Sequence, residues 1–250
     1  MLDDDTYILQ PSLRAVLSQL DPDQALYLGN AVGSFKSRFA HGGSSIILSR
    51  AAMARLFGGD SALVQAAYVE SLKETWGDKL VATTLMKVGI YLEEGYSSYF
   101  NGERPRITRI RADRFCSPIV SFHGLADPEQ IKNVANLFGR LEHPVVWGRI
   151  WSIYGQPDFK NVRLEPIRKG RDHVGREDKP TIGVSGVSSV IGCLNACNKR
   201  QKTCLAWTWD AKSGSCHISP WIIIGDEGLE SSYSGVNVAR ATELMGQCLA

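Results

Sequence analysis

The chain has 250 residues, of which 44% are hydrophobic and 22% are charged, and its formal net charge is +2 at pH 7. This is the composition of an ordinary globular protein, long enough for one large domain or two smaller ones, and its charge does not indicate binding to nucleic acid or to an anionic membrane. The sequence contains no apolar run long enough to span a bilayer and does not begin like a secretion signal.

Three consecutive aspartates, Asp3-Asp4-Asp5, stand near the start of the chain. In an extended segment Asp3 and Asp5 would point the same way, with Asp4 turned aside. Carboxylates placed in this way can hold Mg²⁺ or Mn²⁺ against a diphosphate. The alternative is a solvated, mobile chain end, which these residues alone favour.

Local signals predict the secondary structure that follows the aspartates. Ser49 is expected to cap one helix, and Asp127-Pro128-Glu129 has the side-chain cap, proline and acid that typically start another. Hydrophobic periodicity and turn residues predict helices over 11–20, 51–56, 64–72, 77–88 and 128–138 and strands over 25–29 and 46–48.

The character of the sequence changes after the last of these helices. Residues 151–180 lose periodicity and mix basic residues, such as Arg168 and Arg171, with Asp, Pro and Gly, which is typical of a linker. Beyond this segment the sequence predicts a helix over 189–198 and a strand over 205–209.

The cysteines are distributed unevenly. Four of them lie in one short window and form either a disulfide framework or a metal site: Cys193, Cys197, Cys204 and Cys216. Zinc modules usually pair two short knuckles, whereas eleven residues separate Cys204 from Cys216, which favours disulfides and an oxidising compartment. Cys116 and Cys248 can pair with each other, pair with cysteines outside this chain, or remain free.

Four segments occur in an order and at separations that are more specific than any one of them: Asp3-Asp4-Asp5-Thr6-Tyr7, Phe39-Ala40-His41-Gly42-Gly43-Ser44-Ser45, Gly77-Asp78-Lys79-Leu80-Val81 and Ser121-Phe122-His123-Gly124. Together they resemble the catalytic half of fringe-like and core-1-type β-1,3-glycosyltransferases, the family thirty-one enzymes of the GT-A fold. The resemblance covers roughly residues 1 to 140. It implies an α/β fold over residues 1–150, the C-terminal part of an incomplete, Rossmann-like GT-A domain.

The resemblance also implies a metal and donor site. Asp5 and His123 would be the metal ligands, and Asp3 and Asp4 would help to position a UDP-sugar donor beside Mn²⁺ or Mg²⁺. A metal is suited to this chemistry because departure of UDP leaves charge on a diphosphate. Without the family context, His123 is more often a hydrogen-bonded core or surface histidine.

Gly42 and Gly43 resemble the paired glycines at which donor and acceptor sugars approach the backbone in that family. The alternative is a hairpin or bulge, which glycine pairs commonly mark. Family enzymes usually carry a third glycine two residues later, where this chain has Ser45.

Asp78 is similar to the family aspartate that acts as the general base of an inverting transfer. The alternative role is a helix N-terminal aspartate that only caps, and Glu74 is the nearest rival for the base. Trp76 could stack on a sugar ring or fill the core.

The window around Cys193 and Trp207 resembles a PAN or Apple domain, which would make residues 181–250 a small disulfide-stapled α+β module. The resemblance implies the pairs Cys193–Cys216 and Cys197–Cys204, and fungal members of family thirty-one append such a module. A substrate-targeting role for it is a hypothesis.

These resemblances lead to two expectations for function. The first is a metal-dependent inverting hexosyltransferase, or a piece of one, which transfers a sugar from a UDP-sugar to a glycan or glycoprotein acceptor in β-1,3 linkage. The second is a catalytically dead luminal or secreted protein that binds carbohydrate or protein through its PAN module. No nucleic-acid partner is expected.

The position of the aspartates is unusual for the family, because their motif lies midway through a GT-A domain. The family pattern therefore implies that the chain lacks the N-terminal half of the domain and the membrane anchor of a type II Golgi protein. We expect the full-length form in the Golgi lumen and weak donor binding with little turnover by the 250 residues alone.

Overall fold

The structure is a computed structural model and describes residues 1–34, 38–59, 61–162, 165–175 and 178–248. The helices are α1 (Gln10–Leu17), α2 (Arg50–Phe57), α3 (Ser61–Ser71), α4 (Gly77–Lys87), α5 (Pro128–Phe138), α6 (Ile150–Ile153), α7 (Phe159–Val162), α8 (Val190–Asn198) and α9 (Val238–Gln247). The strands are β1 (Tyr7–Ile8), β2 (Tyr27–Gly29), β3 (Ala31–Val32), β4 (Phe39–Ala40), β5 (Ile46–Leu48), β6 (Ile110–Arg111), β7 (Ser121–Phe122), β8 (Arg168–Arg171), β9 (Ile182–Gly183), β10 (Ala206–Asp210), β11 (Ser215–Ser219), β12 (Trp221–Ile222) and β13 (Glu227–Val236).

The chain divides into two compact units, and the division differs from the predicted domains. Unit 1 comprises Met1–Arg104 and Pro118–Val145, and unit 2 comprises Pro105–Ser117 and Val146–Ala250. Residues 105–117 belong to unit 2 because β6 pairs with β12 in an antiparallel ladder. Cys116 is also bonded to Cys248. Both links are non-local, so the predicted boundary at residue 150 does not coincide with a unit boundary.

Unit 1 mixes helices with short antiparallel strand pairs, in agreement with the α/β expectation. The pairs are β1–β7, β2–β5 and β3–β4. One core cluster joins β2, β5, α2 and α4 through buried residues such as Tyr27, Ile46 and Leu85. Because the described strands of unit 1 pair only in twos, the Rossmann-like GT-A arrangement stays a prediction.

Two helices of unit 1, α2 and α5, begin where their capping residues predict. Ser49 Oγ accepts a hydrogen bond from Ala52 N at the start of α2, and Asp127 accepts one from Gln130 N at the start of α5. Each cap satisfies a backbone N–H that has no partner within its helix. The amphipathic helix α5 then buries Phe138, whose ring centroid lies 5.2 Å from that of Phe122 in β7.

Unit 2 contains a five-stranded antiparallel sheet in the order β8-β13-β10-β11-β9. Its edge strand β8 lies inside the segment 151–180 that was predicted to be a linker. His173 of the same segment is fully buried and its N–H donates to Ser234 Oγ. This part of the chain is therefore built into the unit, although residues 163–164 and 176–177 lie outside the described ranges.

Three disulfides join elements of unit 2. The pairs Cys193–Cys216 and Cys197–Cys204 link the region of α8 to β11 and to the residues before β10, as the PAN resemblance implied. Cys116 and Cys248 pair with each other, which was one of three alternatives. Helix α8 begins after Ser189, whose side chain accepts from Gly192 N. The assignment of this region to the PAN class itself stays a prediction.

Candidate active site

The pairing of β1 with β7 joins the start of the chain to the second segment of unit 1. Tyr7 lies opposite Phe122 in this ladder, so the residues before β1 meet those after β7. Just beyond the ladder, Leu125 N donates to Asp5 O over 3.0 Å. The backbone of Asp5 is thereby fixed beside His123, although 118 sequence positions separate the two (123 − 5).

Three side chains converge at this junction: Asp3, Asp5 and His123 each offer one ligand atom, and these atoms all lie within 4.8 Å of one another. Neighbouring ligand atoms around a six-coordinate Mg²⁺ or Mn²⁺ lie about 3 Å apart, so a spread of this size suits one cation. Asp4 and Asp5 lie in a turn rather than in the extended segment that was expected, yet Asp3 and Asp5 still converge. Asp4 is exposed and is not a member of the group.

The hydrogen bonds of His123 orient its free nitrogen. His123 Nδ1 lies 3.2 Å from Gly102 O, which can only accept, so Nδ1 carries the proton. In the neutral ring Nε2 then has a lone pair, and it lies 3.3 Å from Asp5 Oδ1. This oxygen is itself buried and accepts no hydrogen bond from any described residue. Two electron-rich atoms that face each other in this way repel unless a positive charge lies beside them, and a divalent metal bound by both atoms would supply it.

The packing of His123, one of the predicted metal ligands, leaves room only for glycine at position 43. A Cβ at Gly43 would lie 2.3 Å from both Cδ2 and Nε2 of His123, far closer than atoms can approach. Thr6 Oγ1 donates to Gly43 O and Ser121 Oγ donates to Ser44 O, each over 2.8 Å. These bonds hold the glycine turn against β1 and β7. The structure thus adds a reason for this glycine that differs from the predicted approach of a sugar.

Gly42 connects the metal group to the predicted base. A Cβ here would lie 3.5 Å from Asp3 Oδ1 and 3.6 Å from Asp78 Cβ, which are ordinary contacts. Its N–H donates to Asp78 Oδ2 over 3.0 Å. Asp78 is half-buried in the first turn of α4, and its other oxygen accepts from Lys79 N over 2.8 Å. The structure therefore brings Asp3, Gly42 and Asp78 together.

Glu74, the alternative candidate for the general base, makes hydrogen bonds to Lys79 and Trp76. Glu74 accepts from Lys79 Nζ over 2.8 Å and from Trp76 N over 3.2 Å. The hydrogen bond from Lys79 is the largest influence that lowers the pKa of Glu74. Trp76 is 59% exposed, so it does not fill the core, and stacking on a sugar stays a prediction.

Ser45 has an unusual backbone for a residue with a Cβ. Its φ is +77° and its ψ is 143°, a region that glycine occupies almost alone. The glycine that the resemblance leads us to expect at this position would adopt this conformation without strain. Ser45 instead puts a side chain on a strained residue of the turn that follows Gly42 and Gly43.

His41 belongs to the site although no spacing in the sequence singled it out. Its ring meets that of His123 edge to face, with the centroids 5.2 Å apart. Burial is the main cause that lowers the pKa of His41, and the neighbouring His123 lowers it further. Three carboxylates act in the opposite direction: Asp78, Asp3 and Asp5. The only sequence signal for His41 was its position directly before the glycine pair.

The similarity of this chain to known proteins lies in its N-terminal part. The family described as Fringe-like matches residues 1–154, more than half of the chain. The chain belongs to the Fringe-like family. Fringe-like proteins are glycosyltransferases of the Golgi and secretory pathway, and the matched residues include all of unit 1 with its aspartates, glycine pair and His123. Neither a search of curated proteins nor a search of solved structures found a match.

The Fringe-like match agrees with the glycosyltransferase class that the four motifs indicated. In the described part of the chain, no helix has the length and apolar character that a membrane crossing needs.

Proposed function

We propose that this Fringe-like protein is a metal-dependent inverting hexosyltransferase. In this proposal, Asp5 and His123 hold Mn²⁺ or Mg²⁺, with Asp3 and Asp4 beside the donor, a UDP-sugar. The acceptor is a hydroxyl of a glycan or glycoprotein, and the new linkage is β-1,3. The observation that carries the proposal is the buried, unbonded Asp5 Oδ1 facing the lone pair of His123 Nε2.

The carboxylates around the glycine turn support a cation site. Asp3 and Asp78 lie beside Gly42, and Asp3 and Asp5 converge with His123, whose ring packs against Gly43. Three carboxylates would repel the diphosphate of a UDP-sugar unless a cation stood between them. When bound, a divalent metal would neutralise the charge that develops on the departing UDP.

Asp78 is the group that would take the proton of the acceptor hydroxyl. As the acceptor oxygen attacks the anomeric carbon, its proton passes to the carboxylate, and the bond from that carbon to UDP breaks on the opposite face. The N–H of Gly42 occupies one lone pair of Asp78 Oδ2 and fixes the rotamer of this side chain. Each carboxylate oxygen has a second lone pair, so capacity for the proton remains.

The three disulfides support a site of action in the oxidising secretory pathway, and we propose the Golgi lumen. Disulfides persist in such compartments and are rare in the cytosol.

The proposal is tested by a matched pair of variants, Asp78→Asn and Glu74→Gln. UDP release and sugar transfer from a panel of UDP-hexoses to β-linked glycosides are measured with and without Mn²⁺. We expect Asp78→Asn to lower the rate by about 10²- to 10⁴-fold while UDP still binds in the presence of Mn²⁺, and Glu74→Gln to change it little. Full activity of Asp78→Asn would overturn the base assignment, and equal activity after removal of metal would overturn the metal dependence.

A further inference from the structure

His41 is held in the site by contacts that differ from those of the metal ligands. It follows β4, and its backbone N–H donates to Asn30 O over 2.9 Å. Its half-buried ring lies edge to face against His123, at an interplanar angle of 77°. His41 is not a member of the group of possible metal ligands. His41 therefore lies next to the three possible metal ligands and is not one of them.

The tautomer of His41 follows from its partner. His41 Nδ1 lies 3.1 Å from Ser44 Oγ, which also accepts from the side-chain amide nitrogen of Asn30 over 3.3 Å. Ser44 is fully buried, and His41 Nδ1 is the one acceptor that the described residues offer to its hydroxyl proton. A buried hydroxyl proton left without an acceptor is costly, so Ser44 donates to Nδ1. The hydrogen of the His41 ring is then on Nε2.

The two histidines of the site therefore have opposite tautomers. His123 keeps its hydrogen on Nδ1, where Gly102 O accepts it, and leaves Nε2 free for a metal. His41 carries its hydrogen on Nε2, which makes no hydrogen bond with any described residue. The Nε2–H group exists both in this tautomer and in the imidazolium, so its capacity to donate does not depend on titration.

We propose that His41 contacts the donor substrate and that its Nε2–H donates a hydrogen bond to an oxygen of the donor's diphosphate. This inference rests on the proposed function, because a cation held by Asp5 and His123 would draw a diphosphate to the ring that packs on His123. The diphosphate offers anionic acceptor oxygens, and a hydrogen bond to a charged group is stronger than one between neutral groups. The surrounding carboxylates, by contrast, cannot donate to it when ionised.

The test compares three substitutions of His41. Glutamine can place an amide N–H near the position of Nε2, asparagine reaches only the position of Nδ1, and phenylalanine keeps the ring without a donor. The affinity for UDP is measured by calorimetry at saturating Mn²⁺, and the affinity for Mn²⁺ alone is measured by electron paramagnetic resonance. His143→Phe, which changes an exposed histidine of unit 1, is the control.

We expect His41→Phe and His41→Asn to bind UDP about tenfold more weakly or worse, a loss of about 1.4 kcal/mol or more. His41→Gln should stay within about threefold of the wild type, and the affinity for Mn²⁺ alone should not change in any variant. If His41→Phe binds UDP as the wild type does, the inference is wrong and the proposed function stands. If the affinity for Mn²⁺ falls in parallel, His41 acts only by packing on His123, which also overturns the inference. If the wild type binds no UDP in the presence of Mn²⁺, both proposals fail.

Discussion

Replacing Gly43 with alanine would press a methyl group into the ring of His123. The new Cβ would lie 2.3 Å from Cδ2 and Nε2, whereas carbon atoms in contact lie about 3.5 Å apart or more. The ring must therefore move by about 1.2 Å, several times the roughly 0.2 Å by which metal–ligand distances vary. We expect Gly43→Ala to weaken Mn²⁺ binding by about ten- to a hundredfold, the range found when the support of a metal ligand is removed.

Gly42→Ala is the matched control for this prediction. Its Cβ would meet nothing closer than 3.5 Å, and neither glycine has a positive φ, so the backbone tolerates alanine at both positions. Electron paramagnetic resonance of free Mn²⁺ measures the affinity, and thermal unfolding shows whether both variants stay folded. Wild-type affinity in a folded Gly43→Ala protein would refute the packing of His123 on this glycine, as would an equal loss in Gly42→Ala.

Two further predictions concern stability. Ser45→Gly should raise the free energy of unfolding by about 1 kcal/mol, because glycine adopts a φ of +77° without strain. Ser45→Ala should give no gain. Urea unfolding measures both variants, and equal effects of the two substitutions would contradict backbone strain at Ser45. Burial lowers the pKa of His173 to about 4, so the unfolded chain takes up this proton first as the pH falls. As the pH falls from about 6.5 to about 4, protonation of this histidine in the unfolded chain should lower the free energy of unfolding by roughly 3 kcal/mol. His173→Gln should lack this pH dependence. If the variant loses stability with falling pH as the wild type does, the prediction is wrong.

The sequence predicted those parts of the fold that depend on contacts between residues close together in the chain. Ser49 and Asp127 cap their helices as expected, since a capping side chain bonds a backbone N–H two or three residues away. Strand β8 was missed because Arg168–Arg171 has no apolar alternation. It lies at the edge of its sheet, where charged side chains are common and the usual strand pattern is absent.

The features that the sequence did not predict depend on contacts between residues far apart in the chain. The order of the motifs brought Asp5 and His123 into one hypothesis, whereas spacing alone could not reveal the β1–β7 ladder that places them 3.3 Å apart. Unit 2 consists of two separate segments of the chain because β6 pairs with β12, and no local sequence pattern predicts this pairing. His41 was overlooked because its role depends on the ring of His123 and on Ser44 Oγ.

A cation bound by Asp5 and His123 is the basis of the proposed function. The decisive measurement is a Mn²⁺ titration of the wild type, Asp5→Asn and Asp4→Asn by electron paramagnetic resonance. Asp4 is the matched control, because it is an exposed neighbour outside the ligand group. We predict one Mn²⁺ site per chain in the wild type and in Asp4→Asn and a loss of at least about tenfold in affinity in Asp5→Asn. Absence of the site from the wild type, or equal affinities of the two variants, would contradict the account.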